Sequence, residues 1–245
     1  MIHRSQLLSF TCSILLIIAV WQIAYIANGN DIILPSPLKV FKSLGELVCS
    51  AGFWRSLSAT CLRLAISLLI VVPLGLAVGI ICGLNRMAAA FFKPIFTIIA
   101  ATPVMSVILI AYLAFGSERT PVFTAFLMIF PVMAANTMTA VSTIDPKYTE
   151  LCNIYNFSRK QRIRHLYLYA MLPYFKAALR ASLSLAWKVI VAAEVLVQPL
   201  SALGTSMQVA KANLQTTELF AWTLSTILAS AVTEVLLLPR GRRLN

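Results

Sequence analysis

The side chains that could do chemistry are few and scattered. Eight acids, two histidines (His3 and His165) and five cysteines stand in 245 residues. No D-x-x-D or H-E-x-x-H pair occurs, and no G-x-x-x-x-G-K-[ST] loop is present to cradle a phosphate. Cys12, Cys49, Cys61, Cys82 and Cys152 are odd in number and lie mostly in apolar segments, so neither a disulfide framework nor a zinc site follows. We therefore expect no catalytic residue, no metal and no cofactor bound by this chain. What does stand out is a set of polar residues in one apolar run: Arg180, Ser184, Lys188 and Glu194. At 100° per residue they fall at about 0°, 40°, 80° and −40° around a helix, on one polar face. A charge near a bilayer centre costs several kcal/mol unless paired or hydrated. Such a face looks into a pathway, where its basic surplus suits a small anion, or Lys188 and Glu194 pair with neighbouring helices.

The rest of the chain must supply that bilayer. Hydrophobic residues make up 60% and charged ones 11%, against roughly 25% charged in a soluble domain, and mean hydropathy is +0.86. That composition excludes a soluble enzyme, a secreted disulfide scaffold and a disordered chain. The net charge of +12 points to topology rather than nucleic acid. Apolar runs at about 7–27, 57–84, 89–115, 120–143, 174–197 and 217–238 predict an all-α, polytopic protein of six transmembrane helices in a single domain, 1–245. The first run exceeds the ~7–15 residues of a signal-peptide core, and no A-x-A site follows it. Between the first two spans, Ser36-Pro37 starts a short amphipathic helix bearing Leu38, Phe41, Leu44, Leu47 and Val48 on one side, which is expected to lie on the membrane surface. Basic residues concentrate in the segments that share a side with both termini, including Arg86, Lys93, Lys147, Arg159, Lys160, Arg162 and Arg164. The positive-inside rule puts those segments, and both termini, in the cytoplasm. Pro73, Pro94, Pro103 and Pro131 fall in or near spans, where membranes tolerate them.

Two further patterns carry function. Gly75, Gly79 and Gly83 stand four residues apart, on one helix face where another backbone can approach closely, from the same chain or from a second subunit. The inner loop 145–173 offers Asp145-Pro146 to begin one helix, Asn156 for a left-handed turn, and Ser158 with Gln161 as a capping box for a second helix. Two capped helices make a rigid docking knob for a cytoplasmic partner, or a basic helix held against anionic lipid by Arg159, Lys160, Arg162 and Arg164.

The loop resembles the EAA motif of binding-protein-dependent ABC importer permeases. Glu150 matches its acid and Asn156 its glycine position, Leu166 and Leu168 take the I-x-L positions, Leu151-Cys152 replaces Ala-Ala, and Tyr169 stands where proline is usual. Leu34-Pro35-Ser36-Pro37, the glycine series, Asp145-Pro146, and Trp187 followed by Ala193-Glu194 resemble the nitrate, sulfonate and taurine branch. The resemblance implies a permease in a bacterial inner membrane that forms the path for a small solute such as a sulfonate, nitrate or thiamine precursor. It implies separate ATP-binding subunits that hydrolyse the ATP, an extracytoplasmic substrate-binding protein and a second permease copy as partners. It also implies that Glu150, Leu151, Cys152, Tyr155, Asn156 and Ser158 couple the permease to the ATPase. The rival reading is an ion-coupled secondary transporter or channel, which would use Arg63, Arg180, Lys188, Glu194 and Glu234.

Overall fold

A computed structural model describes residues 4–237, and every regular element among them is helical. The order is α1 (Arg4–Asn28), α2 (Pro37–Val48), α3 (Ala51–Leu84), α4 (Arg86–Ala101), α5 (Val104–Ser142), α6 (Pro146–Ile154), α7 (Arg159–Arg162), α8 (Leu168–Val197), α9 (Leu203–Ala212) and α10 (Thr216–Leu237). A π-helical turn, Ile163–Tyr167, joins α7 to α8.

Local chemistry sets most of the boundaries. Ser36 starts α2 by accepting the Lys39 N–H at 3.3 Å, with Pro37 in the first turn. Ser50 does the same for α3 through Phe53 N–H at 3.2 Å. Asn85 ends α3 in extended backbone, and its Oδ1 caps α4 by accepting from Met87 N at 2.8 Å and Ala88 N at 3.3 Å. Outside the spanning helices, the hydrogen bond from Lys39 Nζ to Asp31 raises the pKa of that ammonium.

The expected third span, 89–115, is not one helix. It is α4 followed by the first arm of α5, with Thr102 extended at φ −73°, ψ 128° between them. Pro103 is the cause, because its ring disfavours helical geometry at the preceding residue and it has no N–H to give. The α5 helix is itself bent at Gly116, whose φ of 70° and ψ of 179° are open to glycine at no steric cost. Among the described residues, four helices are long and apolar enough to cross a membrane alone: α1, α3, α5 and α10. The 30-residue α8 has the length, but it carries Lys176, Arg180, Lys188 and Glu194. It also starts at Leu168, inside the expected loop 145–173, since the π turn keeps the chain helical through Pro173. Leu238, the last residue of the expected sixth span, lies outside the described residues.

The second arm of α5 runs parallel to α3 and touches it along its length. A Cβ on Gly75 would lie 2.7 Å from Met133 Cγ, on Gly79 2.5 Å from Thr137 Cβ, and on Gly83 2.6 Å from Val141 Cβ. The glycine stripe therefore packs helix on helix within this chain. The core about it includes Leu64, Val71, Ile129, Met133, Leu183, Trp187 and Ile190. Trp187 Nε1 donates to Thr233 Oγ1 at 2.9 Å, fastening α8 to α10. By contrast, Leu15, Leu16, Ile17, Ile23 and Ile26 of α1 are exposed, a surface that only lipid or another subunit could cover.

Candidate functional site

The loop 145–173 is built from local capping bonds. Asp145 Oδ1 accepts from Lys147 N at 2.9 Å and begins α6. That helix ends with Asn156 at φ 52°, while Phe157 N–H reaches Cys152 O at 2.9 Å and Asn156 N–H reaches Asn153 O at 3.1 Å. This is a Schellman close with asparagine in the left-handed position. Gln161 N–H donates to Ser158 Oγ at 3.3 Å, and Ser158 N–H donates to Gln161 Oε1 at 2.8 Å, completing a reciprocal capping box. Arg162 Nε adds a bond to Phe157 O at 3.1 Å. Glu150, Leu151, Tyr155, Asn156 and Ser158 are exposed on this knob, whereas Cys152 is buried at 7% and supports it from within. Tyr148, Leu151, Ile154 and Tyr155 present apolar surface beside the Glu150 carboxylate.

The polar face of α8 divides when its neighbours are in place. Arg180 pairs with Glu234 of α10 at 2.8 Å, with both side chains partly exposed. Ser184 and Lys188 are exposed, and Lys188 forms no ion pair among the described residues. Glu194, by contrast, is 0% exposed.

Around Glu194 lies a network that spacing alone did not assemble. Arg63 Nη1 donates to its Oε1 at 3.0 Å, and Thr60 Oγ1 is 3.0 Å from both of its oxygens. Gly204 N–H donates to Oε2 at 3.2 Å, and Leu203 N–H donates to Thr60 Oγ1 at 3.1 Å. Those two amides open α9, whose N-cap residue, Ala202, makes no side-chain cap bond. Glu194 and Thr60 thus cap α9 from α8 and α3, with the carboxylate at the positive end of the helix dipole. Gly204 is required for this approach: a Cβ there would lie 2.5 Å from Glu194 Cβ and 2.6 Å from Val191 O. The same Arg63 donates to Ser201 O at 2.9 Å and, through Nη2, to Glu118 Oε2 at 2.7 Å, while Leu200 N–H donates to Glu118 Oε1 at 2.8 Å. One guanidinium ties α3, α5, α8 and the turn into α9 at one end of the bundle. Thr60, Glu118 and Gly204 were not among the expected site residues, and Arg63 entered only under the rival transporter or channel reading. The available signal was that Arg63, Glu118 and Glu194 are ionisable groups in or beside apolar runs, where a partner is required.

The comparisons with known proteins agree with this architecture. The family model for the binding-protein-dependent transport system inner membrane component matches residues 72–238. The aliphatic sulfonates transport permease protein SsuC of Bacillus subtilis is 29% identical over 208 residues, which cover 84% of this chain and 75% of that protein. The nitrate import permease protein NrtB of Synechocystis is 24% identical over 206 residues, covering 80% and 74%. The formylaminopyrimidine transport permease protein ThiX of Halalkalibacterium halodurans is 26% identical over 182 residues, covering 74% and 72%. Among solved structures, a bacterial ABC transporter involved in the import of the acidic polysaccharide alginate shares the fold, with a TM-score of 0.61 at 16% identity over 97% of this chain and 93% of that one.

Proposed function

The chain belongs to the binding-protein-dependent transport system inner membrane component family, and we propose that it passes a small anion along a path formed with a second copy of itself. It is the permease subunit of an ABC importer. In this reading ATP is hydrolysed by separate subunits seated on the inner loop, and a soluble binding protein delivers the solute at the opposite end. The chain makes six crossings of the bacterial inner membrane, the third through α4 and the first arm of α5, with both termini in the cytoplasm.

The geometry supplies a mechanism for coupling. The caps on both sides of Asn156 make the knob stiff, and the π turn leaves no break between α7 and α8. Movement imposed on Glu150, Leu151 and Tyr155 therefore passes into a helix of 30 residues, about 45 Å long. Its far end is the clamp at Glu194. Between the two, Lys188 lies nine residues before Val197, about 14 Å along the axis.

The observation that carries the anion reading is Lys188, exposed and without an ion pair among the described residues, on the 30-residue α8 that this reading takes as the fifth crossing. An ammonium there needs water, a partner acid or a passing anion. Nitrate and aliphatic sulfonates, named for two of the relatives, are anions that would satisfy it. The test is uptake by proteoliposomes that hold the permease, its ATPase and its binding protein. Lys188→Met is expected to cut uptake about ten-fold or more, the worth of one good charge contact, while ATP hydrolysis continues. Uptake near wild type would remove Lys188 from the path, and loss of assembly would make it a packing residue.

A further inference from the structure

A groove of about 750 Å³ runs down the bundle from the clamp, between α3 and the second arm of α5. Its two ends differ in chemistry. The polar lining residues, Arg63, Glu118, Arg119 and Ser201, gather at the clamp, where Arg63 reaches Glu118 Oε2 at 2.7 Å and Ser201 O at 2.9 Å. From there α3 and α5 descend in parallel, and the walls become Ile66 and Ile70 on one side and Phe123 and Phe126 on the other. Phe115, just before the bend at Gly116, sets its ring 4.7 Å from that of Phe123, so the α5 wall is aromatic. Ile70 stands seven residues beyond Arg63, and Phe126 seven beyond Arg119, which makes the apolar channel about 10 Å long. Only one charge at the polar end is uncommitted. Glu118 is met by Arg63 and by Leu200 N–H, while Arg63 is shared among Glu118, Glu194 and Ser201. Arg119 is exposed and forms no ion pair among the described residues.

We propose that this groove is a binding site for one anionic phospholipid, with the phosphate on Arg119 and an acyl chain laid along Ile66, Ile70, Phe123 and Phe126. Three features select that occupant. Both α3 and α5 are long and apolar enough to cross a membrane, and Leu62 and Leu69 of α3 are exposed, so the groove opens where hydrocarbon surrounds the bundle. An apolar channel of about 10 Å below a lone cation matches a chain below a phosphate, in a leaflet whose hydrocarbon is about 15 Å deep. A guanidinium at the edge of hydrocarbon needs an anion or water, and a phosphate meets it with two charge-assisted hydrogen bonds. A second copy packed here face to face would instead set Arg119 against Arg119, like charge against like. The site uses no residue of the α8 polar face and stands apart from the solute path.

The experiment takes the permease purified with its ATPase in a neutral detergent, strips it of lipid, and follows the unfolding midpoint as phosphatidylglycerol or phosphatidylcholine is returned. Phosphatidylglycerol raises the midpoint at a lower concentration than phosphatidylcholine does. In Arg119→Gln the phosphatidylglycerol concentration for half of that rise is about ten-fold higher, the worth of one charge-assisted contact, and the preference over phosphatidylcholine disappears. The lipid-free midpoint of that variant is unchanged, because the side chain it replaces is exposed and unpaired among the described residues. Ile70→Trp fills the channel and removes the rise; where tryptophan does not fold there, Arg119→Gln decides the matter. Equal responses of the wild type to the two lipids, or an unaltered phosphatidylglycerol response in Arg119→Gln or Ile70→Trp, would overturn the proposal. So would a short alkanesulfonate that produces the same rise, since the groove would then seat solute. Disulfide cross-linking of Ile70→Cys between two copies would overturn it too, by making the groove a subunit contact.

Discussion

Arg63→Met removes the one cation paired with Glu194 among the described residues, and the structure sets the size of the effect. Glu194 is 0% exposed and keeps only neutral donors, Thr60 Oγ1 and Gly204 N–H, when the guanidinium is gone. Breaking a buried pair by deleting one partner costs about 3–5 kcal/mol, because the remaining charge stays buried. Glu118, the other acid on Arg63, has a side chain 52% exposed and is screened by solvent, so Glu118→Gln is expected to cost about 0–1 kcal/mol. Removing both buried charges in Arg63→Met/Glu194→Leu should recover most of the loss, since an apolar pair of similar volume is often neutral or better. The assay is the unfolding midpoint of Arg63→Met, Glu194→Leu, their double variant and Glu118→Gln in lipid nanodiscs, the first three analysed with wild type as a double-mutant cycle. Limited proteolysis across 198–215 follows α9, which loses its cap when Glu194 is replaced. Equal shifts for Arg63→Met and Glu118→Gln, or a double variant as unstable as the sum of the singles, would refute the assignment of Glu194 as the charged centre of the clamp.

Three other outcomes are expected. Gly79→Ala should lower the unfolding midpoint by an amount equivalent to about 1–3 kcal/mol, because its Cβ meets Ala134 O at 2.6 Å, whereas Gly45→Ala meets nothing within 4 Å and should not destabilise. Asn156→Gly should preserve ATPase coupling, since φ 52° suits glycine. Asn156→Pro and Glu150→Lys should leave the protein in the membrane and abolish transport-linked ATP hydrolysis; normal coupling in either would make the knob a lipid-facing element. In intact cells an impermeant maleimide should tag exposed Cys49 and fail to tag Tyr155→Cys, which replaces buried Cys152 as the inner reporter. The reverse pattern would invert the topology.

The difference between what the sequence discloses and what it conceals follows the range of the interactions. Asp145, Asn156, Ser158 and Gln161 all act within five residues of themselves, so cap rules applied along the chain find the knob. The glycine stripe is legible for a similar reason, because a four-residue period defines a face whatever lies opposite. Pro103 is harder. Pro73, Pro94, Pro121 and Pro131 sit inside helices, and residue type alone does not separate them from the one proline that divides a span. The face of α8 was read wholly from its own angles, which group Glu194 with Arg180. Their partners come from different helices, Arg63 of α3 at 131 residues' remove and Glu234 of α10, and neither is visible in the angles of α8 alone.

α9 is the extreme case, and it shows how the molecule divides its work. Ala202 offers no cap, so nothing in the local sequence marks the start of that helix; its first amides are satisfied by Glu194 and Thr60, which arrive only when α8 and α3 have packed. One end of the bundle is therefore held by long-range bonds that exist only in the assembled fold, and the other by short-range bonds that travel with the segment. A knob that keeps its shape without the rest of the protein can be displaced as a unit without melting. A clamp whose bonds join four elements cannot be displaced without breaking several of them together. If the loop 145–173 receives the ATPase as proposed, force entering there meets its resistance at Arg63 and Glu194, at the far end of α8.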